Sequence, residues 1–195
     1  MIDLENIRAI DIHTHAEEPC GCHTDDGYDD LQATMAQYFR APWKHPPTVP
    51  ETAQHYREQN IAAVIFPVDA ERETGYRRYV NEEVAEIAAE NDDVLIPFAS
   101  IDPHKGKMGQ REARRLIRDF GIKGFKFHPT MQGFYPNDRM VYGLYEAIAE
   151  EGGIAHEQTV EIVPVHIGHI IEAQSTRLVL EAAVFLRCGQ RRIGG

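Results

Sequence analysis

Two histidines near the start of the chain have the spacing of a metal-binding pair. His13 and His15 end a short run that begins at Ile10, and one residue separates them. Side chains alternate between the two faces of a strand, so this spacing predicts that both imidazoles point the same way. Neutral imidazole binds zinc, iron, nickel and manganese. The pair is therefore half of a candidate metal site, and a strand-end pair that only faces solvent is the alternative.

Further polar residues follow the later apolar runs of the chain, where they could complete such a site. They are Asp69, Asp102, His104, Lys126, His128, His166 and His169. In proteins built from alternating strands and helices, functional groups gather at the carboxyl ends of the parallel strands. Polar residues at successive strand ends therefore predict one shared site.

The elements that would position these side chains alternate between strand and helix. Continuous apolar runs at 61–66 and 94–100 suit strands that are buried on both faces of a parallel sheet. The other predicted strands are 8–13, 124–129 and 162–166, and the predicted helices are 31–40, 48–60, 79–91, 110–119, 138–151 and 172–186. This order is typical of βαβ units with right-handed crossovers.

Composition restricts the compartment and the partners of the chain. Its 195 residues, 43% hydrophobic and 26% charged, suit one domain with its own core. A net charge of −11 argues against general binding to nucleic acid or anionic membranes. Three cysteines, an odd and sparse set, predict reduced thiols. Because no signal peptide and no membrane-spanning run is visible either, we expect a cytoplasmic protein.

Two blocks of sequence resemble the amidohydrolase superfamily. The first is Asp11-Ile12-His13-Thr14-His15, which looks like the superfamily's first-strand signature. The second is 121–129 followed by 132–138, which resembles the branch that includes aminocarboxymuconate-semialdehyde and resorcylate decarboxylases, hydratases and lactone hydrolases. The resemblance covers about residues 5 to 150. It implies a TIM-type (β/α) barrel with one divalent metal ion at the carboxyl ends of its strands, for which we expect zinc, with manganese as the alternative.

The resemblance also implies a set of metal ligands. His13 and His15 correspond to the first-strand ligands. The third ligand of the family is a histidine at the end of strand five, commonly followed by a small residue and a glycine. His166, in the run Val165-His166-Ile167-Gly168, is the best match, and His156 is the competitor.

Lys126 and His128 are the candidate catalytic residues. Lys126 is either carbamylated between two metal ions or a cation that meets a substrate carboxylate, and a lysine paired with Asp102 is the structural alternative. His128 is expected to bind substrate or orient water. A long insertion at 16–47 carries Trp43 and Arg40, which we predict to bind an aromatic or unsaturated carboxylate.

The chain departs from the family pattern after about residue 153. It shows no counterpart of the family's sixth-strand histidine or of the eighth-strand aspartate that serves as ligand and base. A complete barrel needs about 250 residues. We therefore expect one domain, 1–195, with an incomplete barrel of four to five βα units and a divergent or truncated segment at 153–195.

Two functions remain open at this point. One is a metal-dependent enzyme that acts on a small aromatic or unsaturated carboxylate by hydrolysis or non-oxidative decarboxylation. The other is an inactive truncated barrel, or an interaction module, that lacks the metal-binding aspartate. Exposed strand edges in an incomplete barrel predict a homo-oligomer in both cases.

Overall fold

A single parallel sheet organises the fold. The computed structural model describes residues 1–18 and 46–157, together with Thr34, Gln37 and Tyr38. The strands are β1 (Ala9–His15), β2 (Ile61–Phe66), β3 (Leu95–Ala99), β4 (Gly124–Phe127) and β5 (Ile154–Glu157). Their order in the sheet follows the chain, and every neighbouring pair is parallel. Five parallel strands in sequential order form about half of a TIM-type barrel, which confirms the predicted fold class.

Helices fill the connections between the strands, as the sequence predicts. They are α1 (Val49–Glu58), α2 (Glu71–Thr74), α3 (Asn81–Glu90), α4 (Lys107–Phe120), α5 (Pro129–Gln132) and α6 (Arg139–Glu150). Thr48 and Glu51 form a capping box at the start of α1. Gly121, at φ 66°, ends α4 in the left-handed conformation that favours glycine. In the described ranges, no helix is both long and apolar enough to cross a membrane.

The two faces of the sheet bury different amounts of apolar surface. On the outer face, residues such as Phe125 of β4 pack against α4 and α6, where Leu144 is also buried. On the inner face, Val64, Phe66 and Phe98 form a smaller cluster. Full burial of each large apolar side chain contributes about 1.5–3 kcal/mol. The helices are therefore anchored by the outer face, and the inner face is left to carry the polar site.

The fifth strand corrects the prediction made from the sequence. The chain leaves α6 through Gly152, at φ 75°, and enters β5 directly, so the fifth strand is Ile154–Glu157 rather than 162–166. β5 pairs with β4, with Lys126 opposite His156. The prediction placed the strand at 162–166 because that run is more apolar, whereas β5 is short and carries a histidine and a glutamate. The predicted strand 162–166 and the predicted helix 172–186 lie outside the described residues. Of the predicted helix 31–40, the structure describes only Thr34, Gln37 and Tyr38, and all three are helical.

Candidate functional site

A bulge in β1 directs the histidine pair to the inner face of the sheet. Between Asp11 and Thr14, β1 advances three residues while β2 advances two. One extra residue inverts the alternation of the side chains that follow it. Asp11 and Thr14 contact Tyr56 of α1 on the helix side. The ring of His13 instead meets the inner-face ring of Phe66, with centroids 5.3 Å apart.

The two imidazoles of the pair converge. The Nε2 atoms of His13 and His15 are 3.2 Å apart, and the ring centroids are 5.1 Å apart. Two ligands that bind one ion at about 2.1 Å, at tetrahedral or octahedral angles, are separated by about 3.0–3.4 Å. The prediction that both rings point the same way is confirmed. The pair fits two adjacent positions around a metal ion.

The electrostatic surroundings keep the pair neutral. Burial, followed by the neighbouring His13, Lys126 and His128, lowers the pKa of His15 to about 4. The pKa of His13 is lowered by burial and then by the charge of Lys126. The carboxylate of Glu17 lies 3.7 Å from Nδ1 of His15 and favours a proton on that nitrogen. The lone pair of His15 Nε2 is then available on the side that faces His13.

A third imidazole approaches the pair from β5. The ring centroid of His156 is 5.7 Å from that of His13. Its Nε2 is buried and has no hydrogen-bond partner among the described residues. Burial lowers its pKa to about 4, so this ring is also neutral. The structure thus brings His156, the competitor for the third ligand, to the inner face.

The donor set within the described residues is incomplete. In 1–18 and 46–157, no group of three histidine, cysteine, aspartate or glutamate side chains is arranged to hold a metal ion. His166, the preferred third ligand from sequence, lies outside the described residues, as do Trp43 and Arg40. The observed centre is therefore a convergent pair with one neutral imidazole nearby.

Lys126 lies beside the pair, inside the sheet. Its side chain is fully buried, and Nζ is 3.5 Å from both ring nitrogens of His13. The same nitrogen lies 4.6 Å from the ring centroid of Phe66. Burial lowers the pKa of Lys126 to about 8. Asp102, its alternative partner in the sequence interpretation, is held instead by Arg72 at 3.1 Å and by His104 at 2.8 Å.

His128 lies between β4 and α5, where it is the N-cap residue of α5. Its Nδ1 accepts a hydrogen bond of 3.3 Å from the backbone N–H of Met131. A nitrogen that accepts carries no proton, so neutral His128 holds its proton on Nε2. Burial and then the charge of Lys126 lower its pKa. His128 is consequently a hydrogen-bond donor through Nε2, which suits contact with substrate better than metal ligation.

Gln132 is a functional neighbour that the sequence interpretation missed. This fully buried residue accepts the His128 N–H at 2.8 Å and donates to the carbonyls of Asp69 at 2.9 Å and Ile101 at 3.3 Å. It therefore joins the segments that follow β2, β3 and β4, which we call the rim (67–70, 100–106 and 128–133). Gln132 opens the block 132–138 that resembles the family, but the resemblance assigned no role to this residue.

The strand-end acids belong to this rim and not to the histidine pair. Asp69 accepts from Lys105 Nζ at 2.7 Å and from the Asp102 N–H at 3.0 Å. Asp102 and His104 bind each other and Arg72. These residues lie at the same end of the sheet, but Asp69, Asp102 and His104 do not join the histidine pair, so for them the prediction of one shared site is wrong. Their carboxylates and imidazole stabilise the loops around the site.

The fold and the histidine pair define the class of the protein, and the comparisons define its family. A sequential parallel sheet with an imidazole pair at the carboxyl end of its first strand is part of a (β/α)-barrel with a candidate metal centre. The sequence pattern of the amidohydrolase family matches residues 10–183. The chain belongs to this family, which confirms the resemblance. No curated protein matches the chain.

Solved structures share the fold at low sequence identity. The 5-carboxyvanillate decarboxylase LigW2 from Novosphingobium aromaticivorans, solved with manganese and a nitrobenzoic acid, is 15% identical with a TM-score of 0.50, covering 87% of this chain and 55% of its own. The 5-carboxyvanillate decarboxylase LigW from Sphingomonas paucimobilis is 17% identical with a TM-score of 0.54, and the match covers 76% of this chain and 51% of that protein. An amidohydrolase II is 15% identical with a TM-score of 0.52, and the match covers 82% of this chain and 53% of that protein. The chain spans about half the length of these proteins.

Proposed function

We propose that this chain carries the first half of the active site of a divalent-metal-dependent amidohydrolase acting on a small carboxylate. The observation that carries the proposal is the separation of 3.2 Å between the Nε2 atoms of His13 and His15. Neutral nitrogens at this distance suit two ligand positions on one ion. Membership of the amidohydrolase family supports the same assignment.

His13 and His15 would hold the metal ion, with His156 or His166 as the third imidazole. His156 is supported by its buried and unpartnered Nε2 within the described part of the chain. A bound divalent ion supplies Lewis acidity, which activates water or polarises a carbonyl or carboxylate. Imidazole ligands suit zinc, and manganese is the alternative because a similar decarboxylase structure contains it.

Lys126 and His128 would handle the substrate beside the histidine pair. The ammonium group of Lys126 lies 3.5 Å from the ring of His13, so a carboxylate paired with it is held next to the metal ligands. His128 presents the N–H of Nε2, which can donate a hydrogen bond to the substrate. Similar proteins named as decarboxylases of 5-carboxyvanillate support an aromatic carboxylate, with Trp43 and Arg40 as proposed contacts.

Metal loading of defined variants tests the proposed centre. Metal-free protein would be titrated with Zn²⁺ and Mn²⁺ against a chromophoric chelator, and bound metal measured by mass spectrometry. We expect stoichiometric binding by wild type and loss of binding in His13→Ala and His15→Ala. The matched control is His55→Ala, which removes an exposed histidine of α1. Equal binding by all four proteins would refute the assignment.

Reaction class and assembly are tested on the metal-loaded protein. Release of carbon dioxide from hydroxybenzoate carboxylates supports decarboxylation, whereas ring opening of a lactone supports hydrolysis. Lys126→Met should abolish either activity if this lysine holds the carboxylate. We also propose a cytoplasmic homo-oligomer. A monomer without bound metal in light scattering would refute the enzyme proposal for this chain and favour an inactive barrel.

A further inference from the structure

We propose that Tyr56 is a positioning residue for the histidine pair, because its hydroxyl holds the bulge that turns His13 and His15 to the inner face. The link to metal binding rests on the proposed function. The geometric part of the inference does not, because it concerns the metal-free strand alone.

The need for the bulge follows from the alternation of side chains in β1. In a regular strand, residues 11, 13 and 15 would share one face. The Asp11 side chain faces α1, where it meets Tyr56. Without the extra residue between Asp11 and Thr14, both imidazoles would therefore point towards the helix. The histidine pair reaches the inner face only while the bulge is kept.

One hydroxyl group connects the two sides of this bulge. The Tyr56 hydroxyl donates to Asp11 Oδ2 at 2.7 Å, and Oγ1 of Thr14 lies 2.9 Å from the same oxygen. Since the single phenolic proton goes to the carboxylate, Thr14 is the donor in the second bond. Tyr56 thus binds the last residue before the bulge and the first residue after it.

The same arrangement satisfies the backbone of the bulge. Asp11 Oδ1 accepts the N–H of His13 at 2.9 Å. A bulge removes backbone groups from the strand ladder, and such groups need another partner. The Tyr56 hydroxyl fixes the carboxylate that provides this partner, so the position of the His13 backbone depends on it. Burial raises the pKa of Tyr56, and the hydroxyl keeps the proton that it donates.

The helix that carries Tyr56 is itself well anchored. α1 begins with the Thr48–Glu51 capping box and buries Val49 and Ala53 against the sheet. A hydroxyl on this helix is therefore a fixed reference point for β1. Loss of the hydroxyl should loosen the bulge while the helix stays packed.

Tyr56→Phe removes only this hydroxyl, and Tyr142→Phe is the matched control. Tyr142 is 43% exposed and donates to the carbonyl of Asn137 at 3.1 Å, far from β1 in sequence. In metal-free protein, the exchange rate of the His13 amide proton would be measured by NMR. Zn²⁺ affinity would then be measured by chelator competition. We expect faster exchange at His13 and affinity lowered about tenfold in Tyr56→Phe, with wild-type values in the control.

The outcomes separate this inference from the proposed function. If wild type binds no Zn²⁺, the proposed function fails, and His13 exchange alone decides the inference. Unchanged His13 exchange in Tyr56→Phe overturns it, as does unchanged affinity where wild type binds. If Tyr56→Phe does not fold, Thr14→Val and Thr14→Ser replace it. Faster His13 exchange and weaker Zn²⁺ binding in Thr14→Val, with wild-type values in Thr14→Ser, support the inference. Equal exchange rates and affinities in the two variants overturn it.

Discussion

Replacing Lys126 by methionine should stabilise the metal-free protein. The lysine is fully buried beside Phe66 and His13. Burial lowers its pKa from 10.5 to about 8, so at neutral pH the folded protein still carries a buried charge. Methionine has a similar length and no charge. The substitution therefore removes the cost of desolvating the ammonium group while it keeps most of the packing.

The size of the effect follows from the pKa shift of Lys126 and from its contact with Phe66. A fall from 10.5 to about 8 is about 2.5 pKa units, which corresponds to about 3.4 kcal/mol. The substitution also removes the contact between the ammonium group and the Phe66 ring, 4.6 Å away. Loss of this contact lowers the expected stabilisation by about 1–2 kcal/mol. We expect Lys126→Met to raise the free energy of unfolding by about 1.4–2.4 kcal/mol at neutral pH.

The pH dependence of the difference is a sharper test than its size. Between about pH 8 and pH 10.5 the unfolded lysine binds more protons than the folded one, so wild-type stability rises with pH in that interval. Lys126→Met lacks this contribution. The difference in the free energy of unfolding between the two proteins, measured with urea, should therefore become smaller as pH rises through this interval. Lys123→Met, at an exposed position of the same segment, is the control. A less stable Lys126→Met, or a difference independent of pH, would refute the reasoning.

Three further substitutions test the packing and the polar groups of the site. Gly124→Ala should lower the free energy of unfolding by about 1–3 kcal/mol, because the added Cβ would lie 2.5 Å from the Phe98 ring. Gln132→Leu should lower it by at least about 2 kcal/mol, because the His128 N–H and two carbonyls lose their partner. The free energy of unfolding of wild type should fall as pH drops from 6.5 towards 4, because in this interval His15 is protonated in the unfolded state and not in the folded one. His15→Gln should reduce this fall.

Each of these results has a contrary outcome. Urea unfolding that leaves Gly124→Ala at wild-type stability would show that the Phe98 ring can move to admit a methyl group. A neutral Gln132→Leu would mean that the rim does not depend on this amide. Parallel melting-temperature curves for wild type and His15→Gln, measured below pH 6.5, would contradict the lowered pKa of that histidine.

The sheet and its polar end were largely predictable because the signals are local. The apolar run 61–66 has few alternatives to a buried strand, and β2 occupies those residues. Gly121 ends α4 as its freedom in backbone conformation predicts. Lys126 is the last residue but one of β4, and His128 directly follows the strand, as the sequence block around them indicates. In each case the segment itself contains the physical cause.

The features that escaped prediction depend on partners far away in the chain. β5 has four residues, two of them polar, and its pairing with β4 defines it as a strand. The one-residue spacing of His13 and His15 predicts a shared face but not which face, because the pairing with β2 and the hydroxyl of Tyr56 set the bulge. The role of Gln132 arises only when three loops meet.

The amide of Gln132 has a consequence for how the end of the barrel opens. It binds the carbonyls of Asp69 and Ile101 and the N–H of His128, so three segments share one buried connector. Segments tied in this way unfold locally as one cooperative unit, with a common opening free energy. Amide protons across the rim should therefore exchange with similar protection. In such a unit, a destabilising change in any one loop lowers the protection of the other two.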